Sequence, residues 1–337
     1  MKRRAVIEQA IGETRAAIYE GRRMVELHID RPWQTTPRTG DIYTGRITTI
    51  DASVAGAWVD IGPQAAPALL PFAAQKNMPR LPEGQGVSVS ILRSQIGPKG
   101  ATLRYLDETG DKPSVVKKLT LKERLSQRFP DITFDEAAVN AVDAACEAQL
   151  ALPGGGSITL EQTQALLAID VDKGGAVSAS AAANEAAKLI ASQLRLRGLG
   201  GLVVIDFPNL RQPKQRKTLE KVFEEACEAD PNVTKFNSLS RFGVIEMTRA
   251  KPDLSLDDIL NTRFGEPNIE TQALRALRRL SREAAVSAGA QLELTVTPEI
   301  LAWLNDAPFD WRADATERMG ARFKVVEGNS VDVRADR

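Results

Sequence analysis

Two short stretches of this chain, residues 164–172 (QALLAIDVD) and 200–209 (GGLVVIDFPN), each carry an apolar run straight into a carboxylate. Leu166, Leu167, Ala168 and Ile169 lead into Asp170, with Asp172 two residues on; Val203, Val204 and Ile205 lead into Asp206. Continuous apolar runs of this length read as strands buried on both faces. A charge there is costly unless it is paired or coordinates a metal. Residues 181–197, between the runs, are Ala-rich and helix-favouring, and Gly198 and Gly200 stop them as a helix C-cap does. Strand, helix, strand in this order predicts a βαβ crossover, with the two strands parallel and close together. Both carboxylates then emerge at one edge of the sheet. Asp170, Asp172 and Asp206 together have the all-oxygen character of a hard-cation site of the Mg2+ or Mn2+ type. The plainer alternative for Asp170 and Asp172 is a strand-end Asp that caps the following turn.

The rest of the composition narrows the chemistry by exclusion. At 337 residues the chain can hold two or three domains. Its 44 Lys and Arg balance 44 Asp and Glu, so any nucleic-acid surface must be a local patch. No stretch approaches the roughly 20 apolar residues of a membrane span, and the first ten residues (MKRRAVIEQA) contain no signal-peptide apolar core. A cytoplasmic protein with no membrane partner is the expectation. Cys146 and Cys227 fall in predicted helices and match no metal-ligand spacing, so they read as ordinary packed thiols. His28 is the only histidine and lies in an alternating, strand-like segment (RMVELHIDR). A Ser–His–Asp or Cys–His mechanism would have to run through it alone, which leaves carboxylates as the better agents.

Five segments organise the chain. Residues 1–36 read as a strand meander with turns near Gly12 and Gly21. Residues 37–107 show short strands with period-two alternation and closely spaced Gly turns. That pattern predicts a small closed barrel of OB type, a fold whose face commonly binds oligonucleotides. Trp58 sits mid-strand beside Gly56, where it would either stack a base or simply pack the barrel. Residues 108–150 turn polar and helical, and Lys117, Lys118, Lys122, Arg124 and Arg128 there suit a solvated helix face as well as a phosphate contact. Residues 151–262 hold the two acidic strands and, after the second, a basic run containing Arg211, Lys214, Arg216 and Lys217 that leads into a long helix. Phosphate chemistry needs cations near the transferring group, and this run is placed to supply them. Residues 272–337 read as helix, strand, helix and a final hairpin, a small α+β domain.

Taken in order, these blocks resemble the RNase E/G family of bacterial endoribonucleases. The resemblance is carried by GDIYTGRITTI, GAWVDIG and LLPF in the barrel, by LPGGGSITLEQTQALLAIDVD and NEAAKLIASQLRLRGLGGLVVIDF around the acidic strands, and by SRFGVIEMTR after them. It implies an α+β/α/β architecture: an RNase H-like catalytic domain with an inserted OB-type RNA-binding β-barrel and a small C-terminal α+β domain. It also implies that Asp170 and Asp206 hold catalytic Mg2+, with Mn2+ an acceptable substitute. Asp172 stands where the family usually has Asn, which keeps the size and adds a charge. Trp58 falls on an RNA-stacking aromatic and Lys99 on an RNA-contacting lysine, whereas Leu69 falls on a second stacking aromatic that is lost.

Two departures accompany the match. Only about forty residues, 108–150, stand where the family carries a sensor for the RNA 5′-monophosphate, and no counterpart of its Arg–Thr pair is found there. Residues 251–271 contain no cysteine where the family has a zinc link between protomers. No zinc is expected, and any homodimer would use another surface. The resemblance thus implies metal-dependent hydrolysis of single-stranded RNA, in mRNA decay or rRNA processing. Cleavage would be independent of the 5′ end and would leave 5′-phosphate products. Lys214, Arg216 and Lys217 would help position the phosphate. The alternative is an RNA-binding protein or rRNA-maturation cofactor that no longer cleaves.

Overall fold

Apolar–polar alternation over the first thirty residues forms β1 (Arg3–Ala10), β2 (Glu13–Glu20) and β3 (Arg23–Asp30), reversed at Gly12 and Gly21. Both glycines have positive φ, which a residue with a Cβ adopts only under strain. The structure is a computed structural model that describes all residues except 1, 64, 76–78, 233, 263, 264 and 337. Among the described residues the strands fall into four sheets. The first has the order β10–β1–β2–β3, in which β10 (Thr133–Glu136) lies parallel to β1. The sequence predicts helix around β10, but Phe134 is needed beside Ile7 and Phe129 in the core under this sheet.

Residues 42–108 form the barrel strands β4 (Ile42–Asp51), β5 (Gly56–Asp60), β6 (Ala68–Pro71), β7 (Gly86–Arg93) and β8 (Thr102–Glu108). Their pairing runs β4–β5–β6–β8–β7 and returns to β4, so the ring closes; only the β6–β8 contact is parallel. Ile47, Val59, Leu70, Val89 and Leu103 fill it. A short outer strand, β9 (Ser114–Lys117), adds to β4.

Beyond the barrel, α1 (Leu121–Arg128) starts at a capping box between Thr120 and Glu123. Arg124 of this helix is buried, not solvated, and pairs with Asp30 at 2.7 Å. After the short α2 (Ala141–Ala145), Cys146 lies in a turn, so the predicted helix ends before it.

The largest apolar core belongs to the third unit, built from β11 (Gln149–Ala151), β12 (Ser157–Gln162), β13 (Leu167–Asp172), α3 (Ala179–Leu196), β14 (Gly201–Asp206), α4 (Pro213–Cys227), β15 (Thr234–Phe236) and β16 (Val244–Arg249). The sheet order is β11–β12–β13–β14–β16–β15, with β13 and β14 parallel across the α3 crossover, as the sequence predicts. α3 ends at Arg197, and Gly198 follows with φ +68°.

One expectation fails here: neither acidic strand is buried on both faces. Leu167, Ile169, Val171, Val203 and Ile205 pack under α3 and α4. The alternate residues Ala168, Val204 and Leu202 face an uncovered side, where Leu202 is 43% exposed. The carboxylates therefore stand on an open sheet face, and their charge meets solvent instead of a dry core. Among the described residues the N-terminal strands form a sheet of their own with β10.

α5 (Leu256–Leu260) packs against the first sheet, and the last unit comprises α6 (Ile269–Val286), β17 (Gln291–Val296), α7 (Pro298–Asn305), α8 (Trp311–Met319), β18 (Phe323–Glu327) and β19 (Asp332–Asp336). The predicted final hairpin does not form. β18 and β19 flank β17 instead, because β17 carries the buried row Leu292, Leu294 and Val296 that packs with α6. Among the described residues no helix is long and apolar enough to cross a membrane.

Candidate functional site

Asp170 and Asp206 are register partners at the ends of the parallel strands β13 and β14. Side chains in register point to the same face of a sheet, so both carboxylates project from the open side, and both are exposed. Among the described residues neither carboxylate has a hydrogen-bond or ion-pair partner. Two like charges on neighbouring strands repel, and a hard divalent cation is the partner that relieves such a pair with oxygen donors. The donor set suits Mg2+ or Mn2+ and contains no thiolate or imidazole of the kind a structural zinc prefers.

Asp172 lies on the same face two residues further along β13, but its carboxylate is engaged elsewhere. Its Oδ1 accepts from Gly174 N at 3.0 Å, closing the turn that follows the strand. Among the described residues no three Asp, Glu, His or Cys side chains converge as a ready metal cluster. The geometry brings Asp170 and Asp206 together and leaves Asp172 at the turn.

The turn before β16 abuts this pair. Ser240 accepts from Gly243 N at 3.0 Å through its carbonyl, while its hydroxyl accepts from Phe242 N and Val244 N. Gly243 O in turn accepts from Phe207 N at 3.0 Å. Gly243 has φ +89°, and a Cβ there would lie 2.9 Å from Phe207 O and 4.0 Å from Asp206 Oδ1. Only glycine fits that approach without displacement.

Arg216 of α4 fixes the same turn. Its Nη2 donates to Leu239 O at 2.7 Å and to Ser240 O, and Glu220 accepts from Leu239 N. Through Nη2 the Arg216 guanidinium thus satisfies two otherwise orphan carbonyls of the turn. Lys214 and Lys217 behave differently. They are exposed and, with Pro213, Thr218 and Lys221, line a shallow surface hollow on α4. Sequence reasoning missed Ser240, Gly243 and Glu220 as supports for the site. The Ser-x-x-Gly spacing in SRFG is the signal that could have revealed the turn.

On the barrel, Trp58 is half-buried on the outer surface, and its indole Nε1 donates to Asp51 Oδ2 at 3.2 Å. Hydrogen bonds from Ser53 and then from Trp58 hold the Asp51 carboxyl below its ordinary range. Thr49, Trp58, Leu69 and Thr102 are successive cross-strand partners, so Leu69 lies directly beside Trp58. Lys99 is exposed in the turn closed by reciprocal Ile96–Lys99 backbone bonds, three residues before Thr102.

Residues 107–252, which contain the acidic strands and the 240–243 turn, match the model of the Ribonuclease E/G family. The chain is 31% identical to ribonuclease E of Escherichia coli K12 over 206 residues, 57% of this chain and 19% of that protein. Ribonuclease E of Haemophilus influenzae is 34% identical over 177 residues, 48% of this chain and 19% of that protein. Ribonuclease G of Haemophilus influenzae is 27% identical over 201 residues, 55% of this chain and 41% of that protein. The chain thus matches about a fifth of these ribonucleases E and about two fifths of this ribonuclease G. The barrel strands up to Leu106 lie outside the span that matches the family model.

Proposed function

We propose that this chain is a metal-dependent endoribonuclease acting on single-stranded RNA. The observation that carries the reading is the in-register pair Asp170 and Asp206, exposed and without a cationic partner among the described residues, inside the segment that matches the family. These two carboxylates would hold Mg2+, or Mn2+ in its place, with Asp172 supporting from the adjoining turn. The bound ion would supply an activated water and offset the charge that builds on the phosphate.

The remaining tasks fall to side chains of the protein. Trp58 offers a base-stacking surface on the barrel, read here as an OB-type RNA-binding module, and Lys99 offers a phosphate contact beside it. Stacking of this kind favours unpaired RNA, whose bases can splay. Lys214 and Lys217 contribute a positive field on α4, while Arg216 and Glu220 keep the turn against Asp206 in place. Hydrolysis leaves 5′-phosphate products, in mRNA decay or rRNA processing. The short 108–150 segment makes cleavage indifferent to the 5′ end. The setting is cytoplasmic.

The test is cleavage of 5′-phosphate and 5′-hydroxyl versions of one fluorescent single-stranded RNA, with Mg2+ and with EDTA. The reading expects metal-dependent cleavage of both at similar rates. RNA bound equally well in EDTA yet left intact with either Mg2+ or Mn2+ would replace the enzyme with a binding protein.

A further inference from the structure

The turn that abuts Asp206 carries a side chain that the fold does not use. Phe242 is 75% exposed, although its own N–H and the backbones of Ser240, Gly243 and Val244 around it are held by the contacts of Arg216, Ser240 and Phe207 described above. A large aromatic ring left in water forgoes the stabilisation of burial, here on a rigidly built turn and not on a loose loop. The Arg241 guanidinium sits over one side of the ring, 4.7 Å from its centroid. A ring so positioned is already oriented, and it needs little ordering before a flat partner arrives.

Place and chemistry select that partner. Gly243, the next residue, approaches Asp206 Oδ1, and Val244 is the cross-strand partner of Asp206. Phe242 therefore stands in the turn at the carboxylate end of the sheet, two residues from the cross-strand partner of Asp206. Anionic peptides are disfavoured there by the two carboxylates. A nucleobase is flat and neutral, stacks well on an aromatic face, and accepts a guanidinium plane as a second surface.

We propose that Phe242, backed by Arg241, is a stacking platform for one unpaired base next to the scissile phosphate, an inference that rests on reading Asp170 and Asp206 as a nuclease centre. The platform sets where along a strand the cut falls, independently of Trp58 on the barrel. It also excludes a base that remains paired, because its face is then occupied by its neighbours in the duplex.

The experiment uses the full chain and a short A/U-rich fluorescent RNA carrying a single abasic site at successive positions. Wild type, Phe242→Ala, Phe242→Leu and Phe242→Trp are compared by anisotropy in EDTA, by cleavage with Mg2+ and by sedimentation. Stacking predicts a loss of about fivefold or more for Ala and Leu, with Trp restoring function. That penalty should vanish only when the abasic site is at one position, adjoining the cut. Normal cleavage by the Leu variant, or a penalty equal at every abasic position, would overturn the platform while leaving the nuclease reading intact. RNA that shows the position-specific penalty in binding but is never cut would sink the nuclease reading and keep the platform. A change in sedimentation without any RNA effect would make Phe242 a protein contact and overturn the proposal.

Discussion

Arg38 and Asp253 meet as a two-pronged ion pair, Nε to Oδ1 at 2.8 Å and Nη2 to Oδ2 at 3.2 Å, and so fasten the barrel side of the molecule to the segment after β16. Ser94 adds a hydrogen bond to the same carboxylate at 2.6 Å, and Ser94 N and Thr39 Oγ1 both donate to Pro252 O. Burial alone would raise the Asp253 carboxyl, but the Arg38 guanidinium and the Ser94 hydroxyl hold it well below the usual carboxylate range. This clamp fixes where the barrel sits relative to the acidic sheet.

Removing one partner of such a pair leaves the other charge stranded. Asp253→Ala should destabilise the protein by about 3 kcal/mol, read as a lower urea midpoint. RNA captured by the barrel in EDTA should still bind, because Trp58 is untouched. Unchanged stability of the variant would remove the clamp from the account.

Glu26 predicts an acid transition. Burial pushes its carboxyl up, but the hydrogen bond from His28 and the charges of His28, Arg128 and Arg195 bring it down to about 2 from an ordinary 4.5. A depressed carboxylate stabilises the fold fully above its unfolded value and loses that contribution as pH falls through the folded one. Stability should therefore drop between about pH 4.5 and pH 2, by up to about 3 kcal/mol from this group. Glu26→Gln should flatten that slope, as urea titrations at several pH values would show. An identical slope in the variant would assign the acid transition to other groups.

Trp58 and its neighbour give a prediction for the barrel. Trp58→Ala should weaken RNA binding by about tenfold, within the range of one lost base stack. Trp58→Phe should lose less. Leu69→Phe should tighten binding, since Leu69 is the cross-strand partner of Trp58 and a ring there would extend the surface. Fluorescence anisotropy in EDTA reads all three without cleavage. A neutral Trp58→Ala would return this residue to simple barrel packing.

The basic residues of α4 should separate into two kinds. Lys217→Ala is expected to lower RNA affinity and reduce the slope of log affinity against log salt by about one phosphate contact. Arg216→Ala should leave that slope alone and reduce cleavage and stability instead, because it frees the Leu239 and Ser240 carbonyls. Equal salt slopes for Lys217→Ala and wild type would exclude a direct phosphate contact.

Legibility in the sequence followed how local each determinant is. The parallel pairing of the acidic strands could be read because both runs end in Asp and a capped helix spans the gap between them. The barrel could be read from short alternating strands and glycines. The open face of the acidic sheet could not: Leu202 and Val204 look like core residues, and only the absence of a covering layer distinguishes them. Arg216 was ambiguous for a similar reason, since its partners are carbonyl oxygens more than twenty residues away. The predicted final hairpin failed because β17 competes for both of its strands with a better apolar face. Asp172 is grouped with the other carboxylates by spacing and by the resemblance, and local turn geometry claims one of its oxygens.

The catalytic role proposed for Asp170 and Asp206 is tested most directly by cleavage of an A/U-rich single-stranded RNA in Mg2+ by wild type, Asp170→Asn and Asp206→Asn. The asparagines keep size and register while removing charge. Each variant should lose at least about a hundredfold in rate, the scale of a single decisive electrostatic contact, while binding the RNA in EDTA as tightly as wild type. Cleavage by either variant at the wild-type rate would show that this pair is not catalytic.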